Sequence, residues 1–196
     1  KLTLQSWLDN KYDFASVYQG RSGTREFLSR SGIVHRLDRE TSGVMVVSKT
    51  PEAFERLKAQ FKQRKVNKKY CALVHGSVKP QNGHIRLPLA RNPENRLRYT
   101  VRIEGKMAET YYQLEQRYKR KKRKFTFVNV FPKTGRTHQI RVHFKYIRHP
   151  LVTDSLYLGR KRYERDREWC PRLFLHAESL ELSHPSKEEK VSFTVM

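Results

Sequence analysis

Residues 35–43 form the stretch HRLDRETSG, and the apolar run VMVV follows directly at 44–47. The apolar run predicts a short buried strand over 44–48, and the polar block before it predicts a loop. Catalytic side chains commonly lie on loops that border rigid strands. Because fixed positive charge keeps a neighbouring carboxyl group ionised, Asp38 among its arginines is our first candidate for a reactive group. The simpler alternative is a loop aspartate that caps a turn.

Helix signals lie on both sides of this stretch. Thr50-Pro51-Glu52 combines an N-cap residue, a first-turn proline and a first-turn acid, and therefore predicts a helix over 51–65. Residues 136–147 predict a second helix, whose inner face contains Ile140, Phe144 and Ile147. A weaker helix is predicted over 1–10, whereas the polar and basic stretch 19–30 predicts a flexible loop.

Strand signals dominate the rest of the chain. We predict strands over 68–76, 108–118, 124–131, 173–182 and 190–195. Turn signals at 79–80, 82–83 and 92–93 predict a looser section, and 148–172 is predicted to be loop-rich. Residues 117–124 include seven Lys or Arg, which predicts a hairpin with a positively charged tip. Since strands mostly follow one another directly, we expect an α+β fold, a mainly antiparallel mixed β-sheet with flanking helices, in a single catalytic domain over 1–196.

The charge balance indicates a polyanionic partner. There are 42 Lys and Arg against 19 Asp and Glu, a formal net charge of +23. Nucleic acid fits this excess better than a membrane, because the sequence has no apolar stretch of spanning length. A merely solvated basic surface is the alternative. Cys71 and Cys170 form no zinc or disulfide pattern, which agrees with a cytoplasmic protein.

The sequence contains none of the usual cofactor motifs. It has no GxGxxG and no phosphate-binding GxxxxGK[ST] stretch. His138 and His143 are five residues apart, which does not place them on one helix face as metal ligands. We therefore expect neither a cofactor nor a metal.

A second dense block, TGRTHQIRVH at 134–143, completes a recognisable pair with HRLDRETSG. Together they resemble the signature of the RluA-type pseudouridine synthases, whose catalytic group is the Asp of HRLDxxTSG. The resemblance extends from about residue 31 to the end and includes KKYCALVHG at 68–76. Thr153 stands where the family has Gly. The family's opening Lys-Pro-Gly strand is missing, so we expect the domain to be truncated at its N-terminus.

The resemblance implies an isomerase that converts specific uridines of structured RNA to pseudouridine. The RNA would be ribosomal or, as a second choice, transfer RNA, and the target base would be flipped into the site. Asp38 would attack the sugar or assist loss of the base; both remain open. Tyr70 would stack on the uracil and accept the C5 proton, and Arg141 would pair with Asp38 as a bidentate clamp. A half-buried strand tyrosine and a phosphate-binding arginine are the simpler alternatives.

Further residues are expected to contact the substrate. By resemblance, Arg36 enters the space that the flipped base leaves, with phosphate binding as its alternative, and Ile140 packs against the tyrosine. His35 is expected to fix the loop by a hydrogen bond, and Arg136 and His138 are expected to line the RNA. Phosphate contacts are assigned to Lys68, Lys69, Lys119, Arg120, Lys121, Lys122, Arg123 and Lys124, with solvated side chains as the alternative.

Two rival functions remain at this stage. The first is a non-catalytic RNA-binding protein on the same scaffold, which would have no use for a buried acid beside polyanionic RNA. The second is a nucleosidase or glycosylase, which ordinarily needs two facing carboxylates, whereas the sequence offers one strong candidate. We expect a monomer that binds RNA and no membrane.

Overall fold

The computed structural model describes residues 3–14, 16, 24–187 and 189–195. These residues fall into two compact units. The first comprises Lys1–Leu37, Met45–Val66 and Glu181–Phe193, and the second comprises Asp38–Val44, Asn67–Leu180 and Thr194–Met196. In the described part of the chain, no helix has both the length and the apolar character needed to span a membrane.

Five helices and eight strands are present in the described residues. The helices are α1 (Leu4–Lys11), α2 (Thr24–Ser29), α3 (Pro51–Lys62), α4 (Gln139–Tyr146) and α5 (Arg160–Arg167). The strands are β1 (Ser42–Gly43), β2 (Asn67–His75), β3 (Asn82–Arg91), β4 (Tyr99–Val101), β5 (Lys106–Arg120), β6 (Arg123–Pro132), β7 (Leu175–Ser183) and β8 (Lys190–Thr194).

The strands form one sheet in the order β1-β7-β2-β6-β5-β3-β4, and β8 pairs with β7. β2, β3, β4, β5 and β6 pair antiparallel, while β1 runs parallel to β7. This confirms the predicted α+β class with a mainly antiparallel mixed sheet.

The β5–β6 hairpin ends in the predicted basic tip. Lys119 is opposite Lys124, and Arg120 is opposite Arg123, so the turn consists of two residues. Lys121, the first turn residue, has φ 52°, as tight two-residue hairpin turns require. The prediction of a positively charged hairpin is confirmed.

The main core of the second unit lies between the sheet and α4. Ala72 and Val74 on β2 point into this core, as the period-two pattern predicts, and Tyr70 packs against its edge. Ile140 and Phe144 are buried on the facing side of α4. The helix begins at Gln139, three residues later than predicted, because His138 takes a left-handed backbone conformation.

The first unit contains the α2–α3 pair. Thr50 caps α3 by accepting a hydrogen bond from the Ala53 amide, and Pro51 follows in the first turn, as predicted. Phe27 of α2 packs edge-on against Phe54 of α3, with 5.9 Å between ring centroids. Residues 24–29 were expected to be a loop, so this part of the prediction is wrong. Residues 19–23 lie outside the described residues.

The predicted strand 44–48 is also wrong. Only Ser42–Gly43 pairs with β7, and Val47 forms a single bridge with Ile33. Gly43 has φ 123°, and a Cβ there would lie 2.2 Å from the Ala177 carbonyl oxygen. This contact explains why glycine is required at the strand, and the unusual backbone ends the regular pairing at once.

Two other segments are more regular than expected. Asn82-Gly83 starts β3 instead of making a turn, because Ile85 and Leu89 alternate into the core along that strand. Within the predicted loop 148–172, α5 forms and is supported by an Arg160–Glu164 pair at 2.8 Å. Its sequence has almost no apolar stripe, so the helix signal is absent from the pattern.

Candidate active site

Asp38 lies in the loop that leads into β1. The Thr41 amide donates to its backbone carbonyl at 2.9 Å, which closes a tight turn. The Asp38 side chain is 19% exposed, and its carboxylate accepts no hydrogen bond from any described residue. Its Oδ2 lies 3.8 Å from Nη1 of Arg141. The Asp38 carboxylate is therefore largely shielded from solvent and lies near a positive charge, and its oxygens are not occupied by hydrogen bonds to described residues.

Arg141 on α4 is the centre of the cluster, with 2% of its side chain exposed. Its Nε and Nη2 donate to the two oxygens of Asp154 at 2.8 and 2.7 Å, and Nη2 also donates to Glu40 at 3.1 Å. The expected bidentate clamp thus exists, but it binds Asp154 and not Asp38. Planar two-pronged pairing needs both carboxylate oxygens, and at Asp38 only a longer ion pair is formed.

The charges around Arg141 keep it positive. Burial by itself lowers the pKa of Arg141, but the hydrogen bond to Asp154 and the negative charges of Asp154, Asp38 and Glu40 more than offset this and raise it. One guanidinium thus faces three carboxylates. Since Asp154 and Glu40 accept its hydrogen bonds, Asp38 is the acid whose oxygens remain open to a substrate.

Asp154 is the functional residue that sequence reasoning missed. Besides binding Arg141, its Oδ1 accepts from the amides of Leu156 and Tyr157, so the carboxylate also orders the turn that follows it. The preceding residue, Thr153, has φ 55°, where glycine is favoured and where the resemblance expects it. The only sequence signal was the acid at the end of HPLVTD, in a segment predicted to be an irregular loop.

Glu40 was missed as well, although it lies within the quoted HRLDRETSG stretch. Ser155 donates its hydroxyl hydrogen to Glu40, with 3.0 Å between Oγ and either carboxylate oxygen. The Glu40 side chain is 36% exposed, far more than that of Asp154 at 1%. Two more acids therefore border Asp38, which corrects the expectation of a single carboxylate.

Tyr70 is within the electrostatic influence of Asp38. Burial on β2, and then the negative charge of Asp38, raises the pKa of Tyr70 to about 12. Its phenol is therefore neutral at physiological pH. Ile140 packs into the same core that Tyr70 borders, as the resemblance implies. The structure thus brings Asp38, Tyr70 and Arg141 together in the second unit.

His138 extends the cluster on the other side of Arg141. Its Nδ1 lies 2.9 Å from the Tyr157 hydroxyl, which also accepts the Tyr99 amide at 2.8 Å. Burial is the main cause that lowers the pKa of His138. The Arg141 guanidinium lies over the Tyr157 ring, 5.3 Å from its centroid.

The remaining predicted contacts are more dispersed. The Arg136 side chain donates to the Met107 carbonyl at 3.3 Å, on the outer side of the turn before α4. In the first unit, His35 accepts the Val46 amide at 3.0 Å and stacks on Phe61, while Arg36 is exposed. His35 thus has the loop-fixing hydrogen bond that was expected.

The predicted phosphate contacts differ in their surroundings. Lys68 is partly buried and its Nζ lies 3.4 Å from the Thr134 carbonyl; burial, then the charge of Lys133, lowers its pKa to about 8. Lys69 pairs with Glu178 at 2.8 Å. The six hairpin residues between 119 and 124 are exposed, apart from the partly exposed Arg123. Of the eight predicted phosphate contacts, only Lys69 thus has a counter-charge among the described residues, and these six hairpin residues differ from Lys68 in being open to solvent.

The described residues contain no group of three or more His, Cys, Asp or Glu side chains that could hold a metal ion. Cys71 and Cys170 are both unpaired thiols. The chemistry that this site can perform rests on a carboxylate, a neutral phenol and a guanidinium.

A model of the RNA pseudouridylate synthase family matches residues 12–146, which is more than half of the chain. The chain belongs to this family. The synthases of the family are isomerases that act on RNA. Its residues 35–43 and 134–143, on which the resemblance rested, both lie within the matched range.

Individual synthases agree with this membership. An "Uncharacterized RNA pseudouridine synthase" of Aquifex aeolicus is 44% identical over 172 residues, covering 86% of this chain and 54% of the relative. "Ribosomal large subunit pseudouridine synthase D" of Pseudomonas aeruginosa is 43% identical over 166 residues, covering 80% and 50%. The chain therefore spans about half the length of the curated relatives it matches.

A solved structure of this family shares the fold. "Human RNA Pseudouridylate Synthase Domain Containing 1" superposes with a TM-score of 0.74 at 27% identity, covering 88% of this chain and 72% of the human one. The expected synthase fold is thereby confirmed.

Proposed function

We propose that this chain isomerises uridine to pseudouridine in RNA, with Asp38 as the reactive carboxylate. The observation that supports this most directly is the open carboxylate of Asp38, which lies 3.8 Å from the Arg141 guanidinium and whose charge acts on the Tyr70 phenol. Residues 1–196 would act as one catalytic domain, as a monomer in the cytoplasm.

The reaction rearranges bonds without net oxidation or hydrolysis. The N1–C1′ bond breaks, the uracil rotates, and a C5–C1′ bond forms; C5 then loses its proton and N1 ends with one. An acid–base pair and a charge-stabilising group are sufficient for these steps, so we propose that no cofactor or metal takes part.

Asp38 would act at C1′ of the sugar. When the N1–C1′ bond breaks, its electron pair leaves with the base and C1′ becomes electron-poor. An ionised carboxylate stabilises this carbon, whether by forming a bond to it or as a counter-charge. Because Asp38 is sheltered from water and accepts no described hydrogen bond, its charge is available to the substrate.

Tyr70 would hold the detached uracil. Its ring offers a stacking surface, and its hydroxyl lies where the negative charge of Asp38 acts. Because its pKa is about 12, the phenol begins each turnover protonated. We propose that it accepts the C5 proton while passing its own proton to the carboxylate of Asp38. Asp38 then gives up a proton to solvent and N1 takes one up from solvent, which restores the enzyme and completes the base.

Arg141 and Asp154 would position the reactive acid. The bidentate pair is nearly inaccessible to water and is tied to the turn after Asp154. Hydrolysis is the less suitable reaction for this geometry. A water-activating base would have to be a second free carboxylate beside Asp38, whereas both oxygens of Asp154 accept from Arg141, and Glu40 accepts from Arg141 and Ser155.

The RNA would be large-subunit ribosomal RNA. The net charge of +23 and the exposed basic hairpin favour a large polyanion, and several relatives are named ribosomal large subunit pseudouridine synthases. The basic tip would contact phosphates and so add affinity without reading sequence.

Release of tritium from RNA labelled at C5 of uridine tests this proposal. The chain should release tritium from deproteinised large-subunit RNA more efficiently than from small-subunit RNA or tRNA, and the RNA should stay intact without free uracil. Release of free uracil would instead indicate a glycosylase. No tritium release from any of the three RNAs would contradict the isomerase assignment.

A further inference from the structure

A cavity of about 570 Å³ lies in the second unit and shares Tyr157 with the surroundings of Arg141. Its walls come from β4, the C-terminal half of α4 and the segment that leads into α5. Tyr157 is the shared wall: its ring lines the cavity, while its hydroxyl binds His138 and its face supports Arg141. Its volume is within the range of small-molecule sites and suits a single nucleotide.

The lining of this cavity is positively charged. Arg98, Lys145 and Arg160 contribute cations, and none of the described residues that line it is acidic. Arg160 pairs with Glu164, but Lys145 is exposed and no ion pair to another described residue occupies it. Nε of Arg98 is buried and finds no hydrogen-bond partner among the described residues. The Arg98 side chain as a whole is partly exposed, and no ion pair to another described residue neutralises it.

The start of α5 adds to the attraction for an anion. Gly159, the N-cap residue, lines the cavity and supplies no side-chain cap to the first amides of this eight-residue helix. Helix N-termini attract phosphate groups because their amides are unpaired and the dipole is positive there.

Aromatic rings also line the cavity. Tyr146 is 57% exposed at the end of α4, and its ring is available for stacking. The ring of Tyr99 is also part of the wall, but the Arg91 guanidinium lies over it at 5.6 Å. An exposed ring beside cations is the combination that binds single-stranded nucleotides.

We propose that this cavity binds one nucleotide of the substrate RNA next to the target uridine. Its phosphate would contact Arg98, Lys145 and the start of α5, and its base would stack on Tyr146. The inference rests on the proposed function for the identity of the RNA, whereas the cavity's preference for a nucleotide can be tested without any turnover. A nucleotide in the cavity would contact Tyr157 and so restrict the movement of the ring that lies against the Arg141 guanidinium.

Binding of adenosine monophosphate tests the site directly. Adenine is not the base that the catalytic cluster would isomerise, so its binding reports on the cavity. With ring-labelled tyrosine, titration followed by NMR should shift the Tyr146 resonance saturably, and Tyr146→Phe identifies the signal. Absence of a saturable shift at Tyr146, or a shift at Tyr70 alone, would overturn the proposal.

Matched variants locate the contacts. Tyr146→Ala should weaken binding about tenfold, as loss of one stacking contact does, while Tyr146→Phe keeps wild-type affinity. Tyr118→Ala, at an exposed tyrosine of β5, is the control and should change nothing. Arg98→Met should weaken binding of the phosphate, with Lys79→Ala as the charge control. Equal affinity in Tyr146→Ala and Tyr118→Ala would refute the site.

Tritium release then separates the two proposals. If the chain isomerises uridine, Tyr146→Ala should raise KM about tenfold at nearly unchanged kcat. An unchanged KM in an active enzyme would overturn the subsite while leaving the proposed function intact. If no RNA is isomerised but adenosine monophosphate still shifts Tyr146, the proposed function fails and the nucleotide site stands.

Discussion

The charged side chains around Arg141 and those of the basic hairpin tip differ in their arrangement. We call Arg141 with Asp38, Glu40 and Asp154 the Arg141 cluster. At Arg141, one buried guanidinium faces three carboxylates, two of which accept its hydrogen bonds while Asp38 forms only the longer ion pair. At 117–124, seven Lys or Arg lie in eight residues, and no ion pair to another described residue neutralises them. A positive charge is thus paired with specific acids at Arg141, whereas unpaired positive charges are concentrated at 117–124.

This difference predicts which property each region controls. A buried charge without its partner costs several kcal/mol, so changes in the cluster should alter stability and turnover. An exposed charge is screened by salt and acts on many phosphates alike, so changes at the tip should alter only affinity. The predictions below test this division.

The largest stability effect is expected at Asp154. Asp154→Asn removes the buried negative charge and replaces one of the two oxygens that accept from Arg141 by an NH2 group, so it should lower the free energy of unfolding by about 3–5 kcal/mol. Urea denaturation of the two proteins measures this directly. Glu40→Gln is the matched control, because Glu40 binds the same guanidinium at 36% exposure and should cost less than about 1 kcal/mol. If Asp154→Asn and Glu40→Gln lowered the free energy of unfolding equally, burial would not be the reason that Asp154 stabilises the fold.

The buried side of α4 should also be sensitive to acid. Burial lowers the pKa of His143 to about 4 from an ordinary 6.5. As the pH falls, His143 therefore takes up a proton in the unfolded chain before it does so in the folded protein. The free energy of unfolding is highest above pH 6.5 and decreases towards pH 4, by about 3 kcal/mol in total. Urea midpoints measured across this window should follow that decline. In His143→Gln the decline should be smaller; an identical slope would assign it to other groups.

Loss of the Tyr70 hydroxyl is expected to affect turnover and not binding. Tyr70→Phe keeps the stacking ring but removes the group that would accept the C5 proton, so kcat should fall roughly 10²-fold or more. Single-turnover tritium release with saturating enzyme measures the change, and RNA affinity should match that of the wild type. A variant with unaltered kcat would show that the ring alone is needed.

The smallest effect is expected at the hairpin tip. Replacing the basic residues 119–124 by Ser should weaken binding to every RNA about tenfold at low salt and leave single-turnover kcat unchanged. The plot of log affinity against log salt should also become less steep. A control replaces an equal number of exposed basic residues elsewhere in the chain. A lower kcat of the tip variant at saturating RNA would contradict the expectation that the tip affects affinity alone.

The sequence predicted those elements whose signals are local. The α3 cap, the alternation along β2 and the charged hairpin depend on neighbouring residues, and all three are present. The segment α5 was missed because its polar sequence lacks periodicity. The run at 44–47 was predicted as a strand because it is apolar, but the pairing of Gly43 with Ala177 depends on a distant strand.

The same limit applies to the site. Asp38, Tyr70 and Arg141 were identified through motifs, and the structure brings the three together. The partner of Arg141 could not be identified, because the choice between Asp38, Glu40 and Asp154 depends on differences of about 1 Å in the folded chain. Which carboxylate receives both hydrogen bonds is a property of the long-range packing.

Asp38 is the proposed reactive acid among the three carboxylates that face Arg141. The most direct measurement is single-turnover isomerisation by Asp38→Asn and Glu40→Gln on the same RNA, together with RNA affinity and unfolding free energy. Asp38→Asn should lose at least roughly 10⁴-fold in rate with affinity and stability nearly unchanged, while Glu40→Gln keeps most of its rate. An Asp38→Asn enzyme within tenfold of the wild-type rate would contradict the account.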